Sequence, residues 1–214
     1  MSNRSIVLLK VLVHIACLAP VAWLVWNFWR ASTTVPDALG PDPIAFVTFF
    51  TGKGTLRLLV LSLAITPIRR VIPKLSWLIR FRRMLGLYAF FYACLHLTTY
   101  VWLYSSFSWS AIINDISRRR FITAGVTAWL LLVPLALTST TWSIRKLGGK
   151  RWQALHRLAY ASATCGVIHY WWIVKKGVRT PITITLVLAL LFLARIAWSV
   201  REKLNRQTQV AAAR

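Results

Sequence analysis

Six apolar segments separated by basic or turn-forming stretches leave this 214-residue chain little choice of fold. They run from about Ile6 to Trp29, Thr55 to Ile68, Met84 to Tyr104, Phe121 to Thr138, Trp152 to Val174 and Pro181 to Val200. A helix needs about 20 apolar residues to cross about 30 Å of hydrocarbon. In lipid every backbone N–H and C=O must be paired within the spanning structure, which a helix does by itself. The segments predict an all-α, polytopic membrane bundle of six transmembrane helices, a single domain over 1–214 with its core over 46–174 and no soluble domain. The second segment is short and carries Arg57 near one end, so a start nearer Phe46 is the alternative. Arg4 precedes the first, but its long apolar run and its Trp23, Trp26 and Trp29 suit a retained anchor better than a cleaved leader.

Composition agrees, with 57% hydrophobic residues where soluble domains hold roughly half. The 27 Lys and Arg against 4 Asp and Glu give a net charge of +23, which in a soluble domain would suggest nucleic acid. These cations lie between the apolar blocks, where they set topology and attract anionic lipid headgroups, so no nucleic-acid partner is expected. Sixteen fall on the side of the N-terminus and nine on the other, the latter including Lys175, Lys176 and the run Arg118 to Arg120. Arg157 and Arg195 lie within segments, and Arg214 is among the sixteen. The excess predicts that both termini are cytoplasmic. Tryptophans at the segment ends, such as Trp152, Trp171 and Trp198, fit an interfacial belt.

Cys17, Cys94 and Cys165 form no Cys-x-x-Cys pair, which disfavours a zinc site and covalent haem attachment. No Gly-x-Ser-x-Gly, His-Glu-x-x-His or Gly-x-Gly-x-x-Gly occurs, so neither hydrolysis nor a nicotinamide or flavin domain is indicated.

All four histidines, His14, His96, His156 and His169, lie in apolar segments nearly free of carboxylates. An ionisable group in hydrocarbon is a functional candidate by default. Zinc and copper sites usually recruit carboxylate or thiolate too, so paired imidazoles on facing helices point to haem iron. Counted from the cytoplasmic ends, His96 lies about 18 Å deep and His169 about 26 Å, while His14 lies about 12 Å and His156 about 6 Å. The first two share the outer half and the last two the inner half, which suits one or two haems of b type. His156 and His169 are 13 residues apart, which leaves their rings about 140° apart on an ideal helix. A bulge near Gly166, or haems approached from different sides, would reconcile them. His14, with Arg82 and Arg83, is a candidate for a quinone pocket or second haem site. A non-redox transporter or assembly factor, with histidines relaying protons or bonding helices, is the rival reading.

The stretch RFRRMLGLYAFFYACLHLTTY (Arg80 to Tyr100) occurs with TGKGTLRLLVLSLAITPIRR (Thr51 to Arg70), LTSTTWSIRKLGGKRWQALHRLAY (Leu137 to Tyr160) and IHYWW (Ile168 to Trp172). Together these resemble the MsrQ family, also called YedZ, within the ferric-reductase-like transmembrane group. The resemblance implies a bacterial inner-membrane b-type cytochrome, an electron-transfer subunit and not the catalytic one. It would take electrons from the quinone pool and pass them to a periplasmic molybdopterin-containing methionine sulfoxide reductase that repairs oxidised envelope proteins. It implies haem ligation by His96, His156 and His169, and an FMN that no residue here places. A ferric-reductase-like carrier with another acceptor is the alternative within the same chemistry.

Overall fold

The computed structural model describes residues 3–35, 37–174 and 179–212, so Lys175, Lys176 and Arg214 lie outside the described residues. The helices are α1 (Asn3–Thr33), α2 (Pro43–Val71), α3 (Ile79–Thr99), α4 (Trp109–Arg118), α5 (Arg120–Leu137), α6 (Thr141–Leu147), α7 (Gly149–Leu155), α8 (Leu158–Ile173) and α9 (Thr180–Ala212). A 3-10 turn (Pro73–Leu78) leads into α3, and a π turn (Tyr100–Tyr104) ends it. The chain is an all-α, multi-pass membrane bundle, with no strand among the described residues. Among the described residues, five helical stretches are long and apolar enough to cross a bilayer: those built on α1, α2, α3, α5 and α9. The fifth apolar segment is not one helix. It breaks at His156 and Arg157 into α7 and α8, and α8, with 16 residues, falls short of that length.

Local chemistry sets the ends. Asp42 accepts the Ala45 N–H at 2.9 Å with Pro43 opening the helix, so α2 begins there and not at Thr55. Ser108 caps α4 and Thr140 caps α6, and Gly148 takes the positive φ of 75° that ends α6. α4 was not anticipated. Its Trp109, Ile112, Ile113 and Ile116 recur at helical spacing, with Asn114, Asp115 and Arg118 on other faces. Only Ile112 of these is buried, as in a short helix lying along the membrane surface.

Two antiparallel pairs make the core. In α2–α3, Ser62 donates to the Arg82 carbonyl at 3.0 Å; in α5–α8, Ser162 donates to the Ala128 carbonyl at 2.8 Å. Small residues let the backbones approach: Ala89 and Ala163 are fully enclosed, and Gly86 faces the Ser62 hydroxyl. Leu56, Leu59, Leu63, Leu132, Val167 and Leu191 fill the space between the pairs and α9. The helix α9 runs parallel to α2, since Arg195 reaches the Leu63 carbonyl and Glu202 pairs with Arg70. The helix α1 is outermost, tied to α3 by the Tyr92 hydroxyl on the Cys17 carbonyl at 2.9 Å, and its exposed Leu8, Leu12, Ile15 and Trp26 suit lipid.

Ala163→Leu forces extra methylenes into a closed helix crossing, with an expected loss of about 1–3 kcal/mol. Thermal unfolding in detergent checks it: Tm falls for Ala163→Leu and stays nearly unchanged for Ala197→Leu, which lies on the exposed face of α9.

Candidate functional site

His96 on α3 and His169 on α8 come together. Their ring centres are 5.9 Å apart and their planes 80° to one another. Each ring is held by the other helix of its pair. His96 Nδ1 lies 3.0 Å from the Thr48 carbonyl on α2, and His169 Nδ1 lies 2.6 Å from the Phe121 carbonyl on α5. A carbonyl only accepts, so both Nδ1 atoms carry the proton and donate. That leaves Nε2 of each neutral imidazole with its lone pair. The two arrangements match in detail. A Cβ built on Gly52, four residues after Thr48, would stand 3.0 Å from His96 Cε1; one on Gly125, four after Phe121, would stand 2.8 Å from His169 Cε1. Each ring therefore lies against helix backbone where only glycine leaves room.

The pair lines a cavity of about 530 Å³ at the centre of the bundle. Leu56, Leu59, Ala93, Trp129 and Leu132 supply apolar wall, and Lys53, Tyr100, Asp115 and Arg119 form a polar rim. Tyr100 donates to Asp115 at 3.0 Å, and Asp115 pairs with Arg119 at 3.1 Å. The π turn after α3 contributes Tyr100 and Tyr104 to the lining. Ser106 and Phe107, with φ of 44° and 60°, then reverse the chain into α4. Two such residues in succession are a strained turn held by its surroundings.

The other sequence candidates lie elsewhere. His156 stands in the break before α8, stacked on Trp152 at 3.8 Å. Its Nε2 is 3.2 Å from the Thr138 hydroxyl, which donates its own hydrogen to the Pro134 carbonyl at 2.6 Å. The Nε2 of His156 is thus the donor, the reverse of the tautomer at His96 and His169. Because His156 precedes α8, the two rings do not share one helix, and α8 runs through Gly166 without a bulge. His14 Nδ1 meets the Tyr88 hydroxyl at 2.6 Å. Arg83 is exposed, and Arg82 is half-buried with its carbonyl taking the Ser62 hydroxyl. His14, Arg82 and Arg83 line neither the central cavity nor the crevice between α1, α2 and α3. Sequence reasoning missed Gly52, Gly125, Lys53 and Arg119.

A second crevice, of about 750 Å³, lies between α1, α2 and α3, lined by Phe46, Phe50, Arg57 and Tyr92. It shares Phe49 and Lys53 with the central cavity.

The model of the ferric reductase like transmembrane component matches residues 51–167. A relative from Xanthomonas campestris pv. campestris (strain 8004), the protein-methionine-sulfoxide reductase heme-binding subunit MsrQ, is 47% identical over 97% of this chain and 92% of its own length. The subunit of the same name from Herminiimonas arsenicoxydans is 47% identical over 95% of this chain and 92% of its own. That from Xanthomonas euvesicatoria pv. vesicatoria (strain 85-10) is 44% identical over 98% and 94%.

Gly125→Ala is expected to push the His169 ring off the Phe121 carbonyl, at a cost of about 1–3 kcal/mol. The drop in Tm should exceed that of Gly149→Ala, whose added Cβ meets nothing within 4 Å.

Proposed function

Because the chain belongs to the MsrQ family within the ferric-reductase-like transmembrane group, we propose that it is an electron-carrying membrane subunit holding haem b between His96 and His169. One observation carries the reading: two imidazoles on facing helices, 5.9 Å apart, each with Nδ1–H committed to a backbone carbonyl and Nε2 left to bind. Metal–imidazole bonds are about 2.0 Å long, so two rings whose centres lie 5.9 Å apart are close enough to hold one metal ion between them. The cavity volume lies in the range of about 300–1,000 Å³ typical of cofactor sites. Its apolar walls and cationic rim suit a flat apolar ring with carboxylate arms. The fit is good on each count.

When bound there, haem supplies one-electron redox chemistry. The residues of the chain do the rest. His96 and His169 would hold the haem iron through the free Nε2 of each ring, an all-imidazole holding that would favour electron transfer over substrate binding. The carbonyls of Thr48 and Phe121 fix each ring's tautomer and raise the basicity of the ligating nitrogen. Leu56, Leu59 and Leu132 keep water out. Lys53 and Arg119 stand where propionates would need partners.

The donor in this reading is the quinone pool. The crevice between α1, α2 and α3, with Lys53 and Arg57 to meet ring oxygens, shares Phe49 and Lys53 with the central cavity. The acceptor in this reading is a periplasmic molybdopterin-containing methionine sulfoxide reductase; the relatives' names support a methionine sulfoxide reductase as partner and go no further. α8 is taken as the sixth span, both termini as cytoplasmic, and the membrane as the bacterial inner membrane. The excess of cations on that side supports the orientation.

The test is the reduced b-type absorption spectrum and the haem-to-polypeptide ratio of purified variants. His96→Ala and His169→Ala are expected to lose the haem, and His156→Ala to keep it. Full haem content in either of the first two would reject the assignment. Quinol oxidation by the intact chain should accelerate on addition of the candidate reductase; ferric iron accelerating it alone would favour the other acceptor.

A further inference from the structure

At the end of the bundle opposite the polar rim, α2, α3 and α9 bring four arginines together. On α2, Ser62, Leu63, Thr66, Arg69 and Arg70 follow one another at helical spacing along one side. Arg195 on α9 donates to the Leu63 carbonyl at 2.6 Å and lies over the Tyr160 ring at 4.9 Å. One turn further along, Arg70 lies over Trp198 and pairs with Glu202 at 3.3 Å. Arg82 on α3 lies at the level of Ser62, whose hydroxyl donates to its carbonyl at 3.0 Å.

The charges do not close. The chain has four acidic residues, of which Asp37, Asp42 and Asp115 lie at the other end and Glu202 is engaged by Arg70. Arg69, Arg82 and Arg195 make no ion pair among the described residues. Three polar atoms here are shut off from solvent and have no hydrogen-bond partner: Arg69 Nε, Arg195 Nε and Thr66 Oγ1. Buried donors without acceptors are rare in folded proteins and mark a missing partner. An arginine at membrane depth needs an anion or carbonyls, and here one carbonyl serves a single Nη.

We infer that Arg69, Arg82, Arg195 and Thr66 form a site for a phosphate group, occupied by the headgroup of an acidic phospholipid of the leaflet on that side. Guanidinium forks match phosphate oxygens, the hydroxyl adds a further donor, and basic pockets between spans are where such headgroups bind. Lipid is favoured over free phosphate because the groups lie on membrane-spanning helices beside exposed apolar surface, including Ile196 and Leu193, against which acyl chains can lie. The site is separate from the haem reading and stands or falls without it.

Native mass spectrometry of the full chain in detergent tests it, with phosphatidylglycerol, phosphatidylcholine of the same acyl chains, and inorganic phosphate as the three probes. Phosphatidylglycerol is expected to be retained in preference to phosphatidylcholine, and inorganic phosphate at equal concentration not to compete. Arg195→Gln and Arg69→Gln should each weaken phosphatidylglycerol by about fivefold, as expected of one cation near the headgroup. Arg206→Gln, exposed on the same helix, should change nothing. Arg69→Gln removes a group whose Nε has no partner to lose, so it decides the matter if Arg195→Gln does not fold. Equal retention of the two lipids, unchanged binding in Arg69→Gln, or displacement by inorganic phosphate would overturn the inference.

Discussion

The geometry of the centre depends on two backbone carbonyls that each take a second hydrogen bond. Thr48 and Phe121 sit inside helices, where each carbonyl also accepts the N–H four residues on, from Gly52 and Gly125. An imidazole reaches such an oxygen only if the side chain above it is missing. Glycine costs helix stability of about 1 kcal/mol relative to alanine. What is gained is a ring whose tilt, tautomer and depth are all set by main chain, which does not change rotamer.

This arrangement is made twice. α3 lays His96 on α2, and α8 lays His169 on α5, with the same four-residue offset between acceptor and glycine. Each pair is also tied by a serine donating to a carbonyl of the facing helix. In a membrane, where lipid is as apolar as leucine, close backbone contact and such bonds hold helices together. The two pairs therefore act as prefabricated half-sites. Docking them through Leu56, Leu59, Leu132 and Val167 brings the two imidazoles within 5.9 Å of one another.

Hydropathy made most of the spans legible, and depth counting placed His96 and His169 in the same half of the bilayer. It failed where function intrudes on apolarity. Thr51, Gly52, Lys53 and Gly54 made the second segment look short, yet Gly52 receives the His96 ring, and a Cβ on Gly54 would collide with Tyr92. The break at His156 was hidden because Trp152 to Val174 reads as one apolar run, while the local cause is a turn buttressed by Trp152 and Thr138. The carbonyl acceptors left no trace, since any residue supplies one. Arg195 was visible as a cation within a span, but its lack of an acid partner emerges only once the four carboxylates are placed.

The brevity of α8 bears on the bilayer itself. Taken as the sixth span, its sixteen residues rise about 24 Å, some 6 Å less than about 30 Å of hydrocarbon. A short apolar length is met by local thinning of the lipid or by water dipping toward the helix end. In the six-span reading, the insulating layer would be thinned along the flank where His169 hangs, and charge crossing there would have less dielectric to traverse.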